Sequence, residues 1–320
     1  MTPGQRDRAG RFVETPIMLV SEGHAVPFSK GLLATTLTAT GLPPERAFAV
    51  AMDVEWQLLE EKQRQVDVER LRHMVEMVLA DVEGPVYLER YRKWDRLGRE
   101  DRPVIILIGG ATGVGKSTLA AQLGERLGLV RLISTDTIRE VMRAFFSKNL
   151  MPAIHFSSYD ADRAVRIPVG EGLDSHVVGF MEQVEMVNVG LRAVLIRAIK
   201  ERTSMVVEGV HVVPGMLRTE ERELADDALI LPMVVAVKDA ELHRGHFLVR
   251  ERETSGRRAV MRYLKGFDDI RRIQEFVLGQ AENEGTLVVD NVSIDEAVGT
   301  VVEALYDLIE RTERRGGDDE

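Results

Sequence analysis

The sequence predicts an α/β fold: a parallel sheet flanked by helices, preceded by a small, mostly helical domain. Three observations carry this. From Asp101 to about Arg311, short apolar runs alternate with helical stretches. Those runs are apolar on both faces, as buried parallel strands are. One strand-to-helix junction among them is a glycine-rich loop ending in Lys-Ser-Thr.

The 320 residues are 44% hydrophobic and 29% charged, an ordinary globular composition with room for two domains. A formal net charge of −10 argues against a nucleic-acid partner, which calls for a broad basic surface, but leaves room for a basic pocket holding a small anion. No cysteine is present, so disulfides, thiolate chemistry and cysteine-bound metal centres are excluded, and a reducing cytoplasm fits. Met1 to Phe12 is polar and lacks the apolar centre of a signal peptide. No apolar run reaches membrane-spanning length; the longest, Ala228 to Val237, suits a buried strand and contains Pro232. The expectation is a soluble, cytoplasmic protein with no membrane partner. A homo-oligomer is compatible with this composition, which does not specify one.

Residues 1–14 are polar and are expected to be mobile, and residues 15–99 form a first unit. It opens with two apolar segments, Ile17 to Val20 and Ala25 to Phe28, joined through Gly23, which reads as a hairpin. Pro43 to Lys62 carries Phe48, Met52, Trp56 and Leu59 at helical spacing. Asp67 to Leu79 does the same with Val68, Leu71, Val75 and Val78. Val86 to Leu97 places Tyr87, Tyr91 and Trp94 among basic residues, which reads first as a packing face.

Residues 101–311 form the second unit, and 312–320 a charged tail expected to fray. Its strands are expected at Val104 to Ile108, Val130 to Ile133, Met205 to Val207, Ile230 to Val237 and Thr286 to Val289. Lys148 to Phe180 is polar and weakly patterned, and reads either as an acceptor-binding insertion or as a connecting loop.

The strongest signal is Gly110, Ala111, Thr112, Gly113, Val114, Gly115, Lys116, Ser117, Thr118, a full match to G-x-x-x-x-G-K-[ST]. A strand leads in and a helical stretch, Ser117 to Leu127, leads out. Glycines let backbone N–H groups converge on a phosphate, and the helix N-terminus adds unpaired donors. Lys116 is placed to reach the β- and γ-phosphates of ATP, and Ser117 to ligate Mg2+.

Such a loop does not by itself separate kinases from ATPases, GTPases or switches. Three later features lean toward a kinase. Asp136 and Arg139 follow the second strand, where a carboxylate is placed to take an acceptor proton and a guanidinium to grip an anion. Capping of the next helix by Thr135 or Asp136 is the other reading. Glu208 ends the third strand, where an acidic group is placed to hold magnesium-bound water or act as a base. Gly209 and His211 follow, and for His211 a packed, hydrogen-bonded role stands beside a substrate role. After the fourth strand come His243, Arg244, His246, Arg250, Arg252, Arg257, Arg258 and Arg262, an Arg-bearing lid or a solvated helix face. Arg250 is the favoured catalytic arginine, with Arg244 as a substrate contact. His243 and His246 lack a third ligand for a metal site.

The stretches GGATGVGKST, STDTIRE, VVEGVHVVPG, HRGHFLVRER, RYLKGFDDIRRIQEF and VVDN follow one another from Val104 to Asn291. In that combination the second unit resembles the 2-phosphoglycerate kinase family. The first unit resembles an ATP-cone domain through VPFSKGLLATTLTATGLPPERA and LERYRKW, although Val20-Ser21-Glu22 replaces the basic residues common in the first hairpin of such domains. The resemblance implies a P-loop kinase that passes the γ-phosphoryl group of ATP to the free hydroxyl of 2-phosphoglycerate, a small anionic substrate, giving 2,3-bisphosphoglycerate. A kinase for another small metabolite and a slow nucleotide-gated regulator are the competing readings.

Overall fold

The computed structural model describes residues 16–21, 23–62, 64–99, 102–166, 172–217, 227–250 and 256–318, without the side chains of 249–250, 256–259 and 315–318. The segment to Glu14, Arg252 and the side chains of Arg250, Arg257 and Arg258 therefore lie outside the described residues. The chain divides into two compact units, Met1–Arg96 with Arg126–Gly128, and Leu97–Glu125 with Leu129–Glu320.

In the first unit, β1 (Met18–Ser21) and β2 (His24–Pro27) pair antiparallel, with Met18 opposite Pro27. Gly23 turns the hairpin at φ 83°, in the left-handed region where a side chain is strained. A third strand, β3 (Gln65–Asp67), joins β1 in parallel and was not expected. Its three residues bury only Val66, too little to show a pattern. Helix α1 (Lys30–Thr38) was not expected either. Three of its nine residues are threonines, which are poor helix formers. Here the Thr35 and Thr36 hydroxyls donate back to the carbonyls of Gly31 and Leu32 at 3.0 and 3.2 Å, and Ser29 caps the N-terminus.

Helices α2 (Pro44–Glu60), α3 (Val68–Val82) and α4 (Pro85–Arg99) stand where the periodicity places them. The face of α2 is a correction. Phe48, Met52, Trp56 and Leu59 point outward, between 43% and 59% exposed, while Ala47, Val50, Ala51, Val54 and Leu58 are buried. Both stripes have helical spacing. The buried one carries two alanines, which let α2 lie close against α1. On α4 the packing reading of the aromatics holds: Tyr91 is buried and Tyr87 packs on the same core.

The second unit is built on a five-stranded parallel sheet in the order β5-β6-β4-β7-β8. The strands are β4 (Val104–Gly109), β5 (Leu132–Ser134), β6 (Met205–Glu208), β7 (Leu229–Ala236) and β8 (Leu287–Asp290), each within a few residues of its expected place. All six residues of β4 are buried, as its central position requires. The helices are α5 (Lys116–Leu127), α6 (Thr135–Phe145), α7 (Ser175–Lys200), α8 (Ala240–Arg250), α9 (Gly256–Lys265), α10 (Phe267–Glu284) and α11 (Ile294–Asp318). Leu191, Leu195 and Ala198 of α7 pack on Ile105, Leu107 and Val207 of the sheet. Helices α10 and α11 pack on β7 and β8.

Two departures stand out. The weakly patterned stretch from Lys148 folds into two 3-10 turns, Ala153–His155 and Ser158–Ala164, packed on α7. The tail expected to fray instead continues α11 to Asp318, with Arg314 reaching back to Glu310 at 3.7 Å, one helical turn away. Among the described residues, no helix is long and apolar enough to cross a membrane.

Candidate active site

Strand register builds the site. Glu208 at the end of β6 is paired with Ile108 of β4 on one side and Ser134 of β5 on the other. The glycine-rich loop follows β4 at once, so loop, Glu208 and the start of α6 share the carboxyl edge of the sheet, where α/β folds bind ligands.

The loop enters α5 at Lys116. The Lys116 ammonium is nearly buried and donates to the Ala111 carbonyl at 2.7 Å. Ser117 and Thr118 are exposed at the helix start. The Ser117 hydroxyl donates to Glu208 Oε1 at 3.1 Å, so the two residues expected to serve magnesium are in contact. Hydroxyl and carboxylate oxygens are the donors a hard cation takes. Among the described residues, no group of three or more His, Cys, Asp or Glu could hold a metal by itself.

On the β5 side, the cap of α6 is neither Thr135 nor Asp136. Ser134 accepts from the Asp136 N–H at 3.2 Å. Asp136 is thereby left with its carboxylate exposed and paired to Arg139 Nε at 3.2 Å. The Arg139 guanidinium is largely covered and donates through Nη1 to the carbonyls of Ile154 and Phe156 at 3.0 and 3.3 Å.

Thr135, by contrast, is fully buried and points to His211. Its hydroxyl lies 2.8 Å from Nδ1, and Nε2 lies 3.1 Å from Gln183 Oε1. Gln183 spends its amide hydrogens on the carbonyls of Ala153 and Phe156 at 2.6 and 3.1 Å, so its oxygen faces the histidine as acceptor. The tautomer follows: Nε2–H donates to Gln183, and Nδ1 accepts from the Thr135 hydroxyl. Burial pushes the His211 pKa down to about 3, so the ring is neutral. His211 has no exposed surface, and the packed, hydrogen-bonded alternative is the one the structure builds. Gly209 makes the network possible, because a Cβ there would lie 1.8 Å from the Thr135 hydroxyl.

Helix α8 does not stand off as a lid over its first two turns. His243 Nε2–H donates to the Thr112 carbonyl at 2.9 Å, and His246 Nδ1–H to the Gly113 carbonyl at 3.1 Å. A carbonyl only accepts, which fixes the donor nitrogen of each ring. Burial pushes His243 down to about 4. Its buried Nδ1 has no hydrogen-bond partner, which suits a bare lone pair. Arg244, expected near substrate, lays its guanidinium over the Phe267 ring at 4.4 Å. Arg250 ends α8 with its side chain outside the described residues.

A 2-phosphoglycerate kinase of Methanothermobacter thermautotrophicus is 38% identical over 297 residues, which cover 92% of this chain and 94% of the relative. One from Methanopyrus kandleri is 36% identical over 298 residues, 93% of this chain and 89% of the relative. One from Thermococcus kodakarensis is 37% identical over 291 residues, 91% and 96% of the two chains. The chain belongs to the 2-phosphoglycerate kinase family. No family model matches it. A solved gluconokinase from Sinorhizobium meliloti 1021 aligns over 67% of this chain and 97% of its own, with TM-score 0.40 and 16% identity, a distance that bears on neither activity nor substrate.

Within this member of the 2-phosphoglycerate kinase family, two residues of the site escaped the sequence reading. Gln183 is a polar residue inside a long, largely apolar helix, and that was its only signal. Asn291 stands just past β8, nearly buried, and donates from Nδ2 to the Val114 carbonyl at 2.9 Å. Its signal was the VVDN run, read only as part of the family resemblance.

Proposed function

We propose that this chain transfers the γ-phosphoryl group of ATP to 2-phosphoglycerate, forming 2,3-bisphosphoglycerate. The observation that carries the reading is the Ser117–Glu208 contact in front of the phosphate loop, one strand away from the exposed carboxylate of Asp136. The kinship to 2-phosphoglycerate kinases over more than nine-tenths of the chain supports the choice of acceptor.

The loop N–H groups and the start of α5 hold the ATP phosphates. Lys116 exchanges the Ala111 carbonyl for phosphate oxygens and offsets the charge gathering on them. Ser117 and Glu208 would hold Mg2+, which would supply positive charge to offset that of the ATP phosphates. The hydroxyl oxygen of the acceptor forms a bond to the γ-phosphorus, the bond from that phosphorus to the bridging oxygen breaks, and ADP leaves with the electron pair. The hydroxyl proton passes to the Asp136 carboxylate. The acceptor carries a phosphate and a carboxylate, so cations must collect where it binds. Arg139 supplies one at the β5 side, Arg244 and Arg250 are the candidates on α8, and a cytoplasmic setting fits the cysteine-free chain.

The test is a panel of 2-phosphoglycerate, 3-phosphoglycerate, glycerate, uridine and no acceptor, with ATP and magnesium and with products identified by mass spectrometry. Bisphosphoglycerate formed selectively from 2-phosphoglycerate is the expected result. Turnover on another acceptor alone, or none that depends on an acceptor, would overturn the reading.

A further inference from the structure

Three consecutive carbonyls of the phosphate loop are each held from outside by one side chain. Thr112 receives His243, Gly113 receives His246, and Val114 receives Asn291. The first two donors stand on α8, and the third follows β8. Elements far apart in sequence thus converge on one run of the loop.

We infer that His243, His246 and Asn291 are positioning residues that aim the loop amides at the nucleotide phosphates. The reason lies in the peptide unit. In a trans peptide the C=O and N–H point in opposite directions, and no cis bond occurs among the described residues. Fixing the carbonyls of 112, 113 and 114 on the outer side therefore fixes the N–H groups of Gly113, Val114 and Gly115 on the inner side. Successive amides held this way form an anion-binding concavity before the anion arrives, and the binding step is relieved of ordering them.

The close packing around the loop has the same purpose. Phe247, fully buried, occupies the space where a Cβ on Gly113 would lie, 2.2 Å from the ring. A Cβ on Gly115 would lie 2.2 Å from the Asn291 amide nitrogen. The Phe247 ring is itself held between His243 at 5.5 Å and Tyr263 at 5.2 Å, both nearly parallel to it. Gly113 occupies a free position of the motif; its φ of 88° and the Phe247 ring beside it both call for glycine. The first two turns of α8 are a wall of the cradle.

The inference rests on nucleotide binding by the loop, not on the identity of the acceptor. Asparagine carries its N–H at the reach of histidine Nδ1, and glutamine carries its own at the reach of Nε2. His246→Asn and His243→Gln therefore preserve each donor, while His246→Gln and His243→Asn misplace it, and Asn291→Asp removes the third. ATP affinity is measured by titration calorimetry on the full chain, with the KM of the acceptor measured alongside. Loss of a donor is expected to weaken ATP binding by on the order of tenfold, the weight of one buried hydrogen bond. The donor-preserving variants are expected to stay within about twofold of wild type, and the acceptor KM is expected to stay put. Equal affinity across each Asn/Gln pair, with Asn291→Asp like wild type, would overturn the inference and leave the kinase reading standing. Failure of the wild-type chain to bind ATP would overturn both. Should the acceptor panel fail while the affinity pattern appears, only the acceptor assignment falls.

Discussion

Ser117 and Glu208 are separated by 91 positions in the chain, yet the serine hydroxyl donates to the glutamate at 3.1 Å. Parallel pairing of β6 beside β4 brings them together, since Glu208 is in register with Ile108, two residues before the loop begins. Glu208→Gln keeps the shape and an acceptor for Ser117 but removes the charge. It is expected to lower kcat by about 10²-fold or more and to raise the magnesium concentration needed for half-maximal rate. Steady-state kinetics over a magnesium titration check this, and an unchanged kcat with unchanged magnesium demand would remove Glu208 from the reaction.

Lys116 is nearly buried against the loop, with its ammonium on the Ala111 carbonyl. Lys116→Ala is expected to lower transfer by roughly 10²–10³-fold, because the lysine offsets charge that grows during the reaction. The melting temperature is expected to stay near that of wild type. A wild-type rate in a preparation free of contaminating kinase would sink the assignment of the loop.

The sheet was legible because its strands are apolar on both faces and bounded by polar stretches. The loop was legible because its motif sits between such a strand and a helix. Other parts were not. The outward turn of Phe48 and Trp56 was hidden by a second stripe of smaller residues at the same spacing on α2. Strand β3 was hidden by its length. The loop clamps were hidden for a different reason: His243, His246 and Asn291 act by donating to backbone carbonyls, and no spacing in the sequence marks which carbonyl a side chain will meet. His243 and His246 were read with the arginines around them, where charge and not hydrogen bonding was the visible property.

Ser134 and Asp136 divide two tasks at the start of α6. Ser134 accepts the Asp136 N–H as the helix cap, and the Asp136 carboxylate stays exposed. Ser134→Ala is expected to cost about 1 kcal/mol of stability. Asp136→Asn is expected to lower kcat by about 10²–10⁴-fold, the usual range for a lost general base, with ATP affinity retained. Chemical denaturation and steady-state rates on both variants separate the tasks. An Asp136→Asn enzyme that loses stability but not rate would leave the carboxylate only its structural pairing with Arg139.

His211 and His243 together set an acid limit on stability. Burial holds the first near a pKa of about 3 and the second near about 4, against 6.5 in the unfolded chain. Above pH 6.5 neither state binds these protons and stability is unaffected. Below it, the unfolded chain takes up protons that the folded chain refuses, so stability falls with pH. Each histidine contributes up to about 1.4 kcal/mol per pH unit. The loss runs from 6.5 to about 4 for His243 and to about 3 for His211. Between pH 6 and 5 most carboxylates are still ionised, so that window reports chiefly on the histidines. Urea denaturation there is expected to show a clear fall in wild-type stability and a shallower one in His211→Gln, whatever the variant's stability at pH 7. Equal slopes would mean that His211 takes up its proton in the folded state, and that the Thr135–His211–Gln183 network is not the neutral chain of donors its geometry describes.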